Sequence, residues 1–177
     1  MKKILFYYKL FFAGGIESSI LKMVKKLDKK YEMYVAYDDE NSQNVVLDRI
    51  SEHAKIVNLN KINSIKVDTC IWCSHPKQWT FKQFSEKVQA DKYYCWGHIL
   101  LFDTYPDVEF DSDFINKMSK FICVSNSVQN YLLNKYPQLK NRSMVLTNYM
   151  DMEEIIKKSK EPIDLIVDKN KLNIITK

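Results

Sequence analysis

Glycine is scarce in this chain: three residues in 177, where average usage would give about a dozen. Long apolar runs are missing as well. None reaches the roughly 18 residues that a membrane-crossing helix needs. The apolar stretch behind Met1-Lys2-Lys3 is broken by Lys9 after five residues, short of the roughly 7–15 of a secretory signal. Its aromatic and β-branched composition suits a first buried strand instead. No internal repeat or low-complexity tract is present. The chain lacks G-x-G-x-x-G, so the common dinucleotide fingerprint is absent, and no G-K-[ST] follows its glycines to make a P-loop. No carboxylate cluster calls for a metal. No nucleic-acid module or interleaved basic-aromatic stripe occurs.

What is present fits one globular domain. Hydrophobic residues make up 46% and charged residues 28%, which argues against disorder. The net charge of +5 permits an anionic partner without identifying one. Four cysteines occur, Cys70, Cys73, Cys95 and Cys123. Cys70-Ile71-Trp72-Cys73 matches C-x-x-C, the spacing of a redox pair or half a zinc site. No second pair or paired histidines complete such a site, and each cysteine lies in or beside an expected strand. Buried apolar thiols in a reducing compartment are the expectation.

Strand-length apolar runs alternate with stretches of helical period. Strands are expected at Ile4–Tyr8, Met33–Tyr37, Lys55–Leu59, Val67–Trp72, Lys92–Trp96, Phe121–Val124, Ser143–Thr147 and Leu172–Ile175. Ile16, Ile20, Val24 and Leu27 mark the first helix, with Lys22, Lys25, Lys26, Lys29 and Lys30 on its other faces. Further helices are expected around Val45–Ile50, from Pro76 through Gln89, and at Phe114–Lys120, Ser127–Tyr136 and Met152–Ser159. This alternation predicts an α/β, Rossmann-like fold: a mostly parallel sheet with helices on both faces. Residues 1–160 are read as this domain. Residues 161–177 are read as a linker and the first strand of a further domain.

The three glycines all fall just past expected strands: Gly14 and Gly15 after the first, Gly97 after Tyr93–Trp96. Ligands of open parallel sheets bind beyond the carboxyl ends of the strands, and glycine lets a backbone approach a ligand closely. Gly14-Gly15-Ile16-Glu17 before a helix is either a tight turn or an anion site on free helix amides. Glu17 suits the positive end of the helix dipole. His98 either caps its strand or faces a ligand. Trp72, Trp79 and Trp96 are core residues or stacking surfaces for a sugar, and Trp96, beside Gly97 and His98, is the one expected near a site. Tyr8, Lys9 and Phe11 lie on the loop before the glycines. The lysines of the first helix are either a solvated face or a contact for an anionic membrane surface.

Ala13-Gly14-Gly15-Ile16-Glu17 resembles the G-G-x-E opening of the family-four glycosyltransferases. Lys120–Ser127 is similar to their strand that ends in a serine ahead of a helix. Asn148-Tyr149-Met150-Asp151 is similar to their N-G-V-D segment, with Tyr149 in place of glycine, and Leu172–Ile175 resembles the opening strand of their second domain. The resemblance implies the N-terminal, acceptor-binding half of a GT-B fold, with no cofactor other than a nucleotide-sugar co-substrate. It implies His98 as a catalytic residue, and Gly14, Gly15, Ile16, Glu17, Trp96, Gly97, Ser125 and Asn148 as substrate-binding residues. The acceptor would be a polysaccharide or lipid-linked sugar, handled in the cytoplasm or at the inner membrane face, and catalysis would need the family's second domain. Two other readings stand beside it. One is a stand-alone, non-catalytic module that binds a partner glycosyltransferase subunit or a sugar; the other is a flavodoxin-like nucleotide or flavin binder.

Overall fold

The computed structural model describes residues 1–73, 81–98 and 110–161. His75, Pro76, Trp79 and the expected strand at Leu172–Ile175 lie outside them. Seven parallel strands form one sheet: β1 (Lys3–Tyr7), β2 (Glu32–Tyr37), β3 (Lys55–Asn58), β4 (Ile65–Trp72), β5 (Val88–Gly97), β6 (Met118–Cys123) and β7 (Ser143–Val145). Their spatial order is β3-β2-β1-β4-β5-β6-β7. From β1 the chain walks outward to β3, then crosses back to β4 and walks the other way to β7. Parallel crossovers are right-handed, so the two walks place their helices on opposite faces.

The packing follows that rule. On one face, Phe6, Val35 and Trp96 of the sheet meet Ile20 and Val24 of α1 (Gly15–Leu27) and Leu47 and Ile50 of α2 (Asn44–Ser51). On the other, Leu5, Tyr7, Trp72 and Phe121 meet Phe81 and Phe84 of α3 (Phe81–Lys87), Phe114 of α4 (Ser112–Lys117) and Leu132 of α5 (Asn126–Lys135). Trp72 anchors this second core, with ring centroids 4.3 Å from Phe84 and 5.2 Å from Phe114. A last helix, α6 (Met152–Ser159), follows β7.

Two helices depart from their expected bounds. The helix expected to run through Gln89 ends at Lys87, because Val88, Gln89 and Ala90 pair with Ile65, Lys66 and Val67 of β4. The Tyr93 hydroxyl clasps this stretch, donating to the Val88 carbonyl and accepting from the Ala90 amide. The helix expected at Phe114–Lys120 starts earlier, at Ser112, since the Asp111 carboxylate caps it by accepting from the Phe114 amide. It also ends earlier, and Met118 opens β6. Among the described residues no helix is long and apolar enough to cross a membrane.

Candidate functional site

Strand order reverses between β1 and β4, and α1 and α3 diverge there to opposite faces, which opens a crevice at the carboxyl edge of the sheet. Tyr7, Trp72 and Cys95 are register partners across β1, β4 and β5. The Tyr8–Gly14 loop and the Gly97-His98 turn therefore leave the same edge at the same level. Two strand spacings separate them, about 10 Å. Phe11 from the first loop and Ile16 from the first turn of α1 belong to the same packed cluster as Trp96.

The β1–α1 loop is held by Glu17. Its side chain folds back over the loop, 2% exposed, and Oε1 accepts the Phe12 amide proton at 3.3 Å. Gly14 is the N-cap of α1 in an extended conformation, and no glycine of the chain has positive φ. Its need for glycine is steric: a Cβ there would stand 2.7 Å from Glu17 Oε2 and 3.2 Å from a Phe12 ring carbon. Gly15 differs, because a Cβ on it would meet nothing within 4 Å. Ser18 and Ser19 return their hydroxyls to the carbonyls of Gly14 and Gly15, both at 2.8 Å.

Beside this loop lies an open cavity of about 630 Å³, lined by Phe12, Gly14, Gly15, Glu17, Leu21 and Arg49 among others. Among the described residues its lining comes from the β1–α1 loop, α1 and α2, with none from β5 or β6. The Glu17 carboxylate already complements the positive end of α1, and a phosphate seated on the α1 amides would meet that negative charge. Arg49 is the cation in the wall, exposed and in no ion pair among the described residues. Sequence reasoning missed it. The available signal was that it is one of only two arginines in a lysine-rich chain, and arginine is the better partner for planar or phosphate-like anions.

At the end of β5, Trp96 is 4% exposed, its ring 6.0 Å from that of Phe6 and 4.2 Å from that of His98. Among the described residues, neither Trp96 Nε1 nor His98 Nε2, both buried, has a hydrogen-bond partner. Burial lowers the His98 pKa from 6.5 to about 4, so the imidazole is neutral near pH 7. Gly97 needs no close-approach explanation here, since a Cβ would make ordinary contacts, 3.7 Å from Val128 Cγ1 and 3.8 Å from the Ile122 carbonyl oxygen. Ser125 caps α5, its Oγ accepting from the Val128 amide at 3.3 Å. The Val124 amide donates to the Gly97 carbonyl, joining the ends of β5 and β6. Trp96, Gly97, His98 and Ser125 thus gather at one part of the edge, and Gly14, Gly15, Ile16 and Glu17 at another.

Asn148 lies in the segment between β7 and α6. The Tyr149 ring lies 5.4 Å from Lys26 Nζ, in the last turn of α1. That turn is about 16 Å along the helix axis from Gly15. His53 joins Asp28 through a 2.7 Å contact between Nδ1 and Oδ2. All four cysteines are free and buried. Residues three apart on a strand point to opposite faces, and Cys70 and Cys73 accordingly enter different cores. Burial pushes both thiols well above their ordinary range and the Cys123 thiol up to about 11, which suits packing rather than nucleophilic chemistry.

No protein-family model matches this chain, and no curated protein is significantly similar to it in sequence.

Proposed function

We propose that this chain is the acceptor-binding half of a GT-B glycosyltransferase that moves a sugar from a nucleotide-sugar donor. The observation that carries the reading is the placement of its motif set. Gly14-Gly15-Ile16-Glu17 forms the β1–α1 turn beside the crevice, His98 ends β5 at the same edge, and Ser125 opens α5 behind β6. In this reading Glu17 holds the loop open beside Gly15. The acceptor occupies the cavity against α2, with Arg49 meeting an anionic part of it, such as the diphosphate of a lipid-linked sugar. His98 offers a neutral imidazole to the transferred sugar. Charge developing on the departing diphosphate is stabilised mainly by groups of a second domain, because Glu17 disfavours it at the α1 amides. The test is transfer from radiolabelled nucleotide sugars to lipid-linked and polysaccharide acceptors. The 177-residue chain alone is expected to show no turnover, and robust transfer by it would overturn the two-domain reading.

A non-catalytic partner module is the second reading, favoured by one observation. Met144, Leu146, Met150, Met152, Ile155 and Ile156 are all at least 43% exposed. Met152, Ile155 and Ile156 share one stripe of α6 by helical spacing. An apolar surface of this kind serves contact with a partner subunit as well as with a further domain.

A further inference from the structure

We propose that the outward face of α1 and the stretch 149–156 form one surface that seats the chain on an anionic lipid bilayer. Its lysines would meet the headgroups, and its methionine and isoleucine side chains would enter the acyl layer. Lys22, Lys25 and Lys26 recur at i, i+3 and i+4, and Lys29 continues the row just past the helix end. All four are exposed, and they lie opposite Ile20 and Val24, which α1 buries against the sheet. The Lys26 ammonium stands 5.4 Å from the centre of the Tyr149 ring. That contact brings an apolar row beside the basic one. Met150 and Met152 lie just beyond Tyr149 in the chain, and Ile155 and Ile156 extend Met152 along one stripe of α6. Each of these four is at least 43% exposed. None of the residues in either row lines the cavity beside Gly15, so the surface does not depend on the glycosyltransferase reading.

The composition selects lipid over protein. Protein interfaces disfavour lysine and favour arginine and aromatic rings, yet the cations in this row are all lysines and the apolar side chains beyond Tyr149 are flexible or aliphatic. At a bilayer a lysine keeps its ammonium among the headgroups while its stem follows the apolar surface. A tyrosine ring suits the same boundary, with one end apolar and the other wet. A helix that is apolar on one face and charged on the others lies in the plane of the interface. α6 has that pattern, since Glu153, Lys157 and Lys158 fall outside its apolar stripe. Lysines attract the anionic headgroups, and the apolar row adds burial that salt does not screen.

The test is cosedimentation of the full chain with vesicles of phosphatidylglycerol and phosphatidylcholine, with phosphatidylcholine alone as the neutral control. Ile155→Ser combined with Ile156→Ser removes apolar area at exposed positions and should leave the unfolding midpoint nearly unchanged. The expected result is binding to the anionic vesicles only, weakened about tenfold or more in the double variant. Methionine methyl NMR gives a second readout that needs no variant. A spin-labelled lipid should broaden the Met150 and Met152 methyl signals and spare those of the buried Met33 and Met118. Binding that the double variant leaves unchanged, or that spares Met150 and Met152, overturns the proposal, because the lysines alone would then hold the chain. Absence of vesicle binding overturns it as well. Self-association of the chain that the double variant abolishes, without vesicle binding, would assign the stripe to a second copy instead.

Discussion

Gly14 and Gly15 are neighbours that place opposite demands on a side chain. A methyl group at Gly14 must displace the buried Glu17 carboxylate, which is already tied to the Phe12 amide, and alanine is a poor N-cap. Gly14→Ala is expected to cost about 1–2 kcal/mol in urea unfolding. Gly15→Ala adds a helix-favouring residue in open space and should be neutral or stabilising by up to about 1 kcal/mol. Equal losses for both would contradict the Glu17 fold-back. His98 gives a second prediction at this scale. The unfolded imidazole takes a proton near pH 6.5 and the folded one only near 4. Between those values the unfolded state binds more protons, so stability falls as pH drops from 6.5 to 4 and levels off below. The full difference corresponds to about 3 kcal/mol. His98→Phe should flatten this part of the stability profile, and an unchanged slope would show that other groups set it. Glu17 was legible in the sequence as a helix-start residue. Its burial was not, because that depends on the loop doubling back.

Elements were legible where burial is symmetric. A strand covered on both faces reads as a continuous apolar run, and Lys3–Tyr7 and Glu32–Tyr37 match their expected positions to within a residue. The start of β5 was hidden because Val88 and Gln89 read as the end of a helix, while pairing with β4 recruits them into the sheet. Arg49 was hidden for a related reason: its place beside Gly15 comes from α1 packing on α2, which no local pattern encodes. Lys22, Lys25 and Lys26 of α1 and Lys29 and Lys30 of the turn after it are all exposed, and we propose that they support peripheral contact with an anionic membrane. Vesicles containing phosphatidylglycerol should cosediment the chain at low salt. Lys22, Lys25, Lys29 and Lys30 changed together to Gln should abolish this, at about 1 kcal/mol per lysine near the surface. Equal sedimentation of the variant would identify the lysines as a solvated face.

At the scale of the molecule, alternation alone predicted a parallel sheet with two helical layers, and that is the architecture observed. Strand order was beyond it, because nothing local tells the chain to reverse between β3 and β4. That reversal makes the crevice. It brings the Tyr8–Gly14 loop and the Gly97-His98 turn, 82 residues apart from Gly15 to Gly97 in the sequence, to one edge. A second, smaller cavity of about 280 Å³ lies at the opposite, amino edge, lined by Lys2, Asp68, Asp91 and Lys92 among others. It provides an internal control for any ligand that binds.

The most direct measurement is therefore an amide-resolved NMR titration of the full chain with nucleotide sugars and saccharide acceptors. Ligand binding should shift Gly14 and Gly15 together with His98, while Lys2, Asp68 and Lys92 stay in place. Shifts confined to the amino edge, or a ligand that moves neither carboxyl-edge turn, would contradict the account.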